Sequence, residues 1–318
     1  MEHVFRSYND SFRSVFKSAV TSILTDGKEV RPRGMLTKEI SPATLIVDPK
    51  KSLYFSPHRS LNFAFLFAEN LWYLSGRADT HFLSYYNSNI KNFSEDGLHD
   101  GNYGSKIISQ IRYIVDTLTQ DKDSRQAIIS LWRDNPRPSK DIPCTLTMQF
   151  LIRDGALNMY VQMRSNDIIW GSCYDVPSFS LIQMVVASCL GLQPGMLYHT
   201  ANSLHLYETH FSLAQELVDE YFKVEELNMQ PAEPSYLENH SQQWDMLQSI
   251  ESSMRNFGEV NLNIVQKIKD KLNSFYQIYA FTFLWFIANK KKDNTMKNIA
   301  VIELERLRSP LANWYKSK

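Results

Sequence analysis

Between residues 126 and 164 the chain runs through "QAIISLW", "TLTMQFLI" and "ALNMYVQMR", short stretches in which apolar and polar side chains alternate, the last two joined by "RDG". A period of two sends successive side chains to opposite faces of a strand, so each run can present one face to a core. The Asp-Gly step between the second and third is a hairpin signal, because glycine and aspartate tolerate the positive φ angles of a tight turn. Neighbouring antiparallel strands are therefore expected, followed by a long apolar helix over "SFSLIQMVVASCLGL".

Elsewhere the pattern is helical or mixed. Residues 1 to 120 combine both signals and include "SLNFAFLFAENLWYLSGR", where apolar residues fill nearly a whole helix and Gly76 supplies a C-terminal stop. From residue 211 onward charged and apolar residues recur at helical spacing with hardly a strand signal, and the proline-bearing "NMQPAEPSYLENH" is the expected joint. No internal repeat or low-complexity tract stands out. The expectation is an α+β protein with a core over 1–210 and a mainly helical C-terminal extension over 211–318, whose open roles are a dimer element, a lid, a docking surface or completion of the core.

Composition narrows the class of function. A chain of 318 residues can bury a sizeable core, and its 34 basic residues balance 34 acidic ones. No global field draws it to nucleic acid or an anionic membrane, so a small substrate is expected. The most apolar stretch, "FYQIYAFTFLWFIA", is shorter than the roughly 20 residues a bilayer span needs and reads as a buried helix. The opening residues carry charges throughout, without the apolar segment of a secretion signal. The cysteines number three, Cys144, Cys173 and Cys189, an odd set that suits a reducing cytoplasm better than a disulfide framework.

A single cysteine such as Cys144 is ordinarily a buried packing residue. Its company points elsewhere. Downstream stands "RSNDIIWGSCYDVPSF", dense with polar groups a core strand would not choose, and "NSLHLYETH" places His205 and Tyr207 two apart on one strand face. A thiol, arginines, aspartates and a His/Tyr pair suit an anionic substrate and a nucleophilic sulfur.

With these segments in view the sequence resembles the thymidylate synthase superfamily. The likeness is carried by "RPRG" after "DGKEV", "FLFAENLWYLSGR", Tyr103-Gly104, "DSRQAIISLW", Pro143-Cys144, "RSNDIIWG", "DVPSF", "GLQPG" and "HLY", in the family's order and close to its spacing over 1–210. It implies a thymidylate-synthase-like sheet packed by helices. It implies 5,10-methylenetetrahydrofolate as one-carbon co-substrate, a pyrimidine nucleoside monophosphate as acceptor, and a homodimer, with no nucleic acid and no membrane as partner.

The same resemblance assigns roles. Cys144 becomes the thiolate that adds to carbon 6 of the pyrimidine and turns carbon 5 into a nucleophile, with nearby guanidinium groups favouring the thiolate. Arg31 or Arg33, Arg125, Arg164 and Ser165 are implied to hold the phosphate, Arg125 reaching across to the other subunit. Glu69 and Tyr103 handle protons and water, His205 and Tyr207 bind the sugar hydroxyl, and Asp167 lies near the folate pterin. The apolar neighbours of Glu69 suggest a buried acid.

Departures from the family pattern are as informative. Where the synthases place an asparagine that reads uracil, this chain has Asp175. A carboxylate suits the amino edge of cytosine, whereas against the carbonyl of uracil it would set acceptor against acceptor at a cost of roughly 1 to 3 kcal/mol. That pattern resembles the cytidylate and deoxycytidylate hydroxymethylases. The segment "NSNIKNFSEDGLHDGNYG" lacks the tryptophans that exclude water from the methylene intermediate, with Asn89 and Asn92 in their place. Gln126 replaces the second arginine of an adjacent pair, Thr145 replaces a histidine, and no apolar closing tail matches at the end of the chain. The expected activity is 5-hydroxymethylation of CMP or dCMP. The alternatives are a methylating enzyme of the same superfamily and a nucleotide-binding scaffold that does no chemistry.

Overall fold

The computed structural model describes residues 3–93, 102–133, 142–220 and 228–318. In chain order its elements begin with β1 (His3–Phe5), α1 (Phe12–Asp26), β2 (Lys28–Val30), β3 (Thr37–Ile40) and β4 (Ala43–Val47). Then come α2 (Phe63–Leu74), α3 (Thr80–Tyr86), α4 (Gly104–Gln120), β5 (Ile128–Ser130), β6 (Thr145–Arg153) and β7 (Ala156–Met163). The short β8 (Asn166–Asp167) leads into α5 (Ser172–Cys189), β9 (Gln193–Ala201) and β10 (Leu204–Tyr207). The rest is helical: α6 (Phe211–Asp219), α7 (Leu237–Asn256), α8 (Leu262–Lys271), α9 (Ser274–Lys291), α10 (Asn294–Arg306) and α11 (Leu311–Lys316).

The expected hairpin is β6–β7, whose turn residues Asp154 and Gly155 take φ of 53° and 74°. These strands sit inside a six-stranded mixed sheet of order β1-β4-β9-β7-β6-β5, and a smaller sheet runs β2-β3-β10-β8. Helix α1 opens where the Ser11 side chain accepts from the Ser14 amide, and it buries Phe12, Val15, Phe16, Ala19, Val20 and Ile23. That spacing is the single apolar stripe of a helix lying on a sheet. Helix α2 is buried nearly all round, as its sequence requires, and ends at Ser75 before Gly76 at φ 65°. It packs on α5, and α5 in turn lies on β7 and β9, so the catalytic-motif segments share one core.

The other face of the large sheet is half-exposed, through Thr44, Asn158, Tyr160, Gln162, Tyr198 and Thr200. Tyr160 and Tyr198 stack there with ring centroids 4.5 Å apart.

The C-terminal helices close the core behind α2. The apolar run near residue 280 is α9, buried along nearly its whole length, and Tyr279 meets Phe67 of α2 with ring centroids 4.4 Å apart. The Tyr279 hydroxyl donates to Asn70 Oδ1 at 2.8 Å. From α7, Glu251 accepts from the Tyr86 hydroxyl of α3 at 2.7 Å and pairs with Arg255 at 2.7 Å, with both members of the ion pair buried. Among the described residues no helix is long and apolar enough to cross a membrane.

Candidate active site

Cys144 stands at the head of β6, where antiparallel pairing brings the start of that strand beside the end of β7. Its carbonyl accepts from the Arg164 amide at 2.9 Å. The Arg164 side chain then folds back over the same turn. Its Nε donates to the Pro143 carbonyl at 2.9 Å, Nη2 donates to the Ile142 carbonyl at 3.1 Å, and Nη2 also lies 3.4 Å from Cys144 Sγ. One guanidinium thus fixes the turn that carries the thiol and sets a permanent cation against sulfur, the environment that stabilises negative charge there.

Tyr103 approaches from the other side. Its hydroxyl oxygen accepts from the backbone amides of Cys144 and Thr145, both at 3.1 Å, which leaves its own hydrogen to donate. The tyrosine is placed by Gly104, where a Cβ would lie 3.0 Å from the carbonyl oxygens of Trp72 and Arg77 at the end of α2. Only glycine lets α4 start so close to α2. Burial pushes the Tyr103 phenol up from its ordinary range, and the charges of Cys144 and Asp175 add to that, so thiol, phenol and carboxylate lie within electrostatic reach of one another.

Beside Arg164 a cleft of about 730 Å³ opens between the two sheets, lined among others by Arg33, Arg164, Ser165, Ser203, His205 and Tyr207. His205 and Tyr207 stand edge to face on β10, 5.1 Å between centroids. Of the two candidate arginines near residue 32, Arg33 lines the cleft. It sits at φ 52° in the turn Pro32–Gly34, while Arg31 is exposed and is not part of the lining. Arg125 is exposed just before β5, its carbonyl bonded to Gln149 well along β6 from Cys144, and it does not line the cleft of its own chain. Asn89 and Asn92 are exposed in the turn Ser88–Phe93 and do not line it either, and residues 94–101 of that segment lie outside the described residues.

Two acids, neither of which lines the cleft, are linked to Tyr103 through charge: Asp175 acts on Tyr103 and on Glu69. Glu69 on α2 is pushed up to about 8, first by burial and then by the charge of Asp175, with Tyr73 opposing through a hydrogen bond. Asp175, in the first turn of α5, is pushed up to about 7 by burial and the charge of Asp167, against a lowering hydrogen bond from Asn166. Asp167 turns Oδ1 inward to accept from the amides of Ile169 and Trp170 at 2.8 and 3.1 Å. A thiol beside a cation, a phenol with a proton to donate and an acid near neutrality can together add sulfur to an electrophilic ring carbon and move protons around it.

Comparison with known proteins shows the family. The family model described as thymidylate synthase matches residues 14–246, more than half of the chain. The chain belongs to the thymidylate synthase family. Among its relatives is a protein named deoxyuridylate hydroxymethyltransferase from Bacillus phage SP01, 30% identical over 253 residues, which cover 73% of this chain and 66% of that protein. A second protein of the same name, from Pseudomonas phage M6, is 32% identical over 187 residues, covering 55% of this chain and 53% of its own length. The matched stretch thus spans less than two thirds of either relative.

Within this thymidylate synthase frame the structure adds residues that the motifs did not single out. Asn166 donates from Nδ2 to Asp175 Oδ2 at 2.7 Å, while its Oδ1 accepts from the Ser172 hydroxyl and faces His199 Nε2 at 3.0 Å. His199 is fully buried and held down to about 4 by that burial, hence neutral. The glycine of "RSNDIIWG" is the available signal: a Cβ on Gly171 would lie 2.6 Å from Asn166 Nδ2 and 2.9 Å from the Asp167 carbonyl oxygen. Arg59 is also buried, stacked 4.1 Å over Trp170 and bonded through Nε to the Ile169 carbonyl, with Nη2 lacking a hydrogen-bond partner. Nothing in its sequence neighbourhood marked it.

Proposed function

We propose that the chain is a pyrimidine nucleotide C5 hydroxymethyltransferase that takes CMP or dCMP and 5,10-methylenetetrahydrofolate. The observation that carries this is the contact of Cys144 Sγ with Arg164 at a cleft lined by Arg33, His205 and Tyr207, with Tyr103 acted on by the charges of both Cys144 and Asp175. Arg33, Arg164 and Ser165 hold the phosphate, and His205 with Tyr207 holds the sugar. Cys144 forms a bond to carbon 6, and the electron pair moved onto carbon 5 attacks the one-carbon unit. Loss of the carbon 5 proton, with Tyr103 and Glu69 managing water, breaks the bond from the one-carbon unit to the folate nitrogen, so that tetrahydrofolate leaves unoxidised and an exocyclic methylene remains. Water then adds to that methylene as the bond from sulfur to carbon 6 breaks.

The co-substrate supplies a carbon at the formaldehyde level. The residues present fit it: Trp170 is 47% exposed and offers an indole, Asp167 offers an acceptor, and the buried unpartnered Nη2 of Arg59 suits a carboxylate. Asp175 reads the base. Its carboxylate accepts from the amino group of cytosine, whereas uracil, the base in the relatives' names, asks that position for a donor. A homodimer is part of the proposal. The half-exposed sheet face with its Tyr160–Tyr198 stack is a surface on which a second copy can pack, and Arg125, away from its own cleft, is available to a partner's.

Incubating the protein with dCMP, CMP or dUMP and methylenetetrahydrofolate, then weighing the products, tests this. The expected result is a gain of one CH2O on a cytidylate without formation of dihydrofolate, lost in Cys144→Ser while nucleotide binding persists. A methyl gain with dihydrofolate overturns the hydroxymethyl assignment. A product from dUMP alone overturns the cytidylate assignment, and undiminished turnover in Cys144→Ser sinks the nucleophile.

A further inference from the structure

Three side chains far apart in sequence converge behind Asp175. Asn166 on β8, Ser172 at the head of α5 and His199 on β9 are each almost fully buried, and they form one hydrogen-bonded unit. Its logic is set by donor count. The Ser172 hydroxyl and the neutral His199 Nε2–H both donate to Asn166 Oδ1, and a rotated amide would have to turn the hydroxyl around and move the imidazole proton to Nδ1. Its Nδ2–H is thereby committed to Asp175 Oδ2 at 2.7 Å. The reverse orientation would also set the amide oxygen against the carboxylate. Among the described residues Asn166 is the only side chain bonded to Asp175.

A carboxyl oxygen that accepts from a fixed N–H is the carbonyl partner when the group takes up a proton. The proton must then sit on the other oxygen, Oδ1. We infer that Asn166 is a positioning residue which, by occupying Oδ2 of Asp175, confines both the proton and the base contact to Oδ1, so that the site accepts an amino group at carbon 4 of the pyrimidine when Asp175 is ionised and a carbonyl there when it is protonated. This rests on the base-reading role proposed for Asp175.

The two states are both within reach near neutrality, since Asp175 is pushed up to about 7. Asp167 of β8 acts on it, and its own charge acts on Glu69 of α2, Tyr103 at the head of α4 and Cys173 of α5, with His199 of β9 behind Asn166. None of these is a cation at neutral pH, so a proton rather than a counter-ion offsets the buried charge. The charge of Asp175 raises Glu69, so an ionised Asp175 opposes the ionisation of its neighbour.

Equilibrium binding of dCMP and dUMP to the full chain, measured by calorimetry on both sides of about pH 7, tests the inference. The expected result is that preference for dCMP over dUMP climbs with pH, by up to about tenfold per unit, because each unit changes the ratio of ionised to protonated Asp175 tenfold. Asn166→Leu removes a donor to the anion and should move the midpoint of that change upward by about one unit. If that variant does not fold, His199→Leu, which frees the amide to rotate, should shift the midpoint in the same direction, and His199→Gln, which can restore a donor, should return it. Asp175→Asn should bind dUMP better than dCMP at every pH. An unchanged preference in Asp175→Asn overturns the base-reading role itself. A shifted preference there, with the wild-type midpoint retained in Asn166→Leu and His199→Leu, overturns the positioning role alone. A preference in the wild-type protein that does not vary with pH also overturns it.

Discussion

The Tyr103 hydroxyl oxygen lies 3.1 Å from the amide nitrogen of Cys144, so the tyrosine holds the backbone of the residue whose sulfur does the proposed chemistry. It accepts equally from Thr145, whose side chain is buried. Tyr103→Phe leaves two amides without their acceptor. Each buried unsatisfied donor costs about 1 to 3 kcal/mol, so the variant is expected to lose stability on that scale and turnover by at least tenfold. Denaturant titration together with single-turnover kinetics checks both. Full stability in the phenylalanine variant would show that the hydroxyl does not support the turn.

Glu69 makes stability depend on pH with a definite sign. Its folded pKa, about 8, lies above its ordinary 4.5, so the stabilisation it brings is complete below 4.5 and is lost as pH rises through 8. Asp175 behaves likewise between its ordinary 3.8 and about 7. Each contributes a fall of up to about 1.4 kcal/mol per pH unit within its window. Glu69→Gln should flatten the decline seen by urea unfolding between pH 5 and 8, and a slope identical to wild type would contradict the burial of that acid.

Gly171 is hemmed in by Asn166 Nδ2 and the Asp167 carbonyl. Gly171→Ala forces backbone or the Asn166 amide to move. The expected destabilisation is about 1 to 3 kcal/mol, with weaker nucleotide binding alongside, because the residue displaced is the one bonded to Asp175. Calorimetric melting and nucleotide titration of the variant decide this, and unchanged values in both would argue that the segment has slack.

Arg255→Met breaks a buried ion pair and leaves Glu251, 1% exposed in its side chain, with only the Tyr86 hydroxyl as partner among the described residues. Removing one member of such a pair costs about 3 to 5 kcal/mol. Replacing Arg255 and Glu251 together by methionine should cost less than the single change. Denaturation curves of the three proteins give the comparison. A double variant worse than the single one would mean that packing, rather than the stranded charge, dominates.

Legibility in the sequence followed the range of the interaction. The hairpin, α2, α5 and α9 were readable because their signals are local: a period of two, an Asp-Gly turn, apolar runs and a stopping glycine. Arg164 Nη2 lies 3.4 Å from Cys144 Sγ, across 20 residues of sequence, whereas His205 and Tyr207 meet edge to face as their spacing of two on a strand allows. Which arginine near Pro32 meets the cleft was not readable, since a left-handed turn at Arg33 decides it. His199 lies in a strand whose pattern announces only a buried position, 33 residues from the Asn166 it bonds. The contact of Tyr279 with Asn70 spans 209 residues and leaves no periodic trace in either helix.

That last contact bears on how this chain can be handled. Asn70 is the immediate neighbour of Glu69, and its amide is shared between Ser178 of α5 and Tyr279 of α9. The final third of the sequence is therefore a buttress for the acid's own helix, and anyone seeking a minimal version by trimming from that end would be sawing through the beam on which the proposed proton chemistry rests.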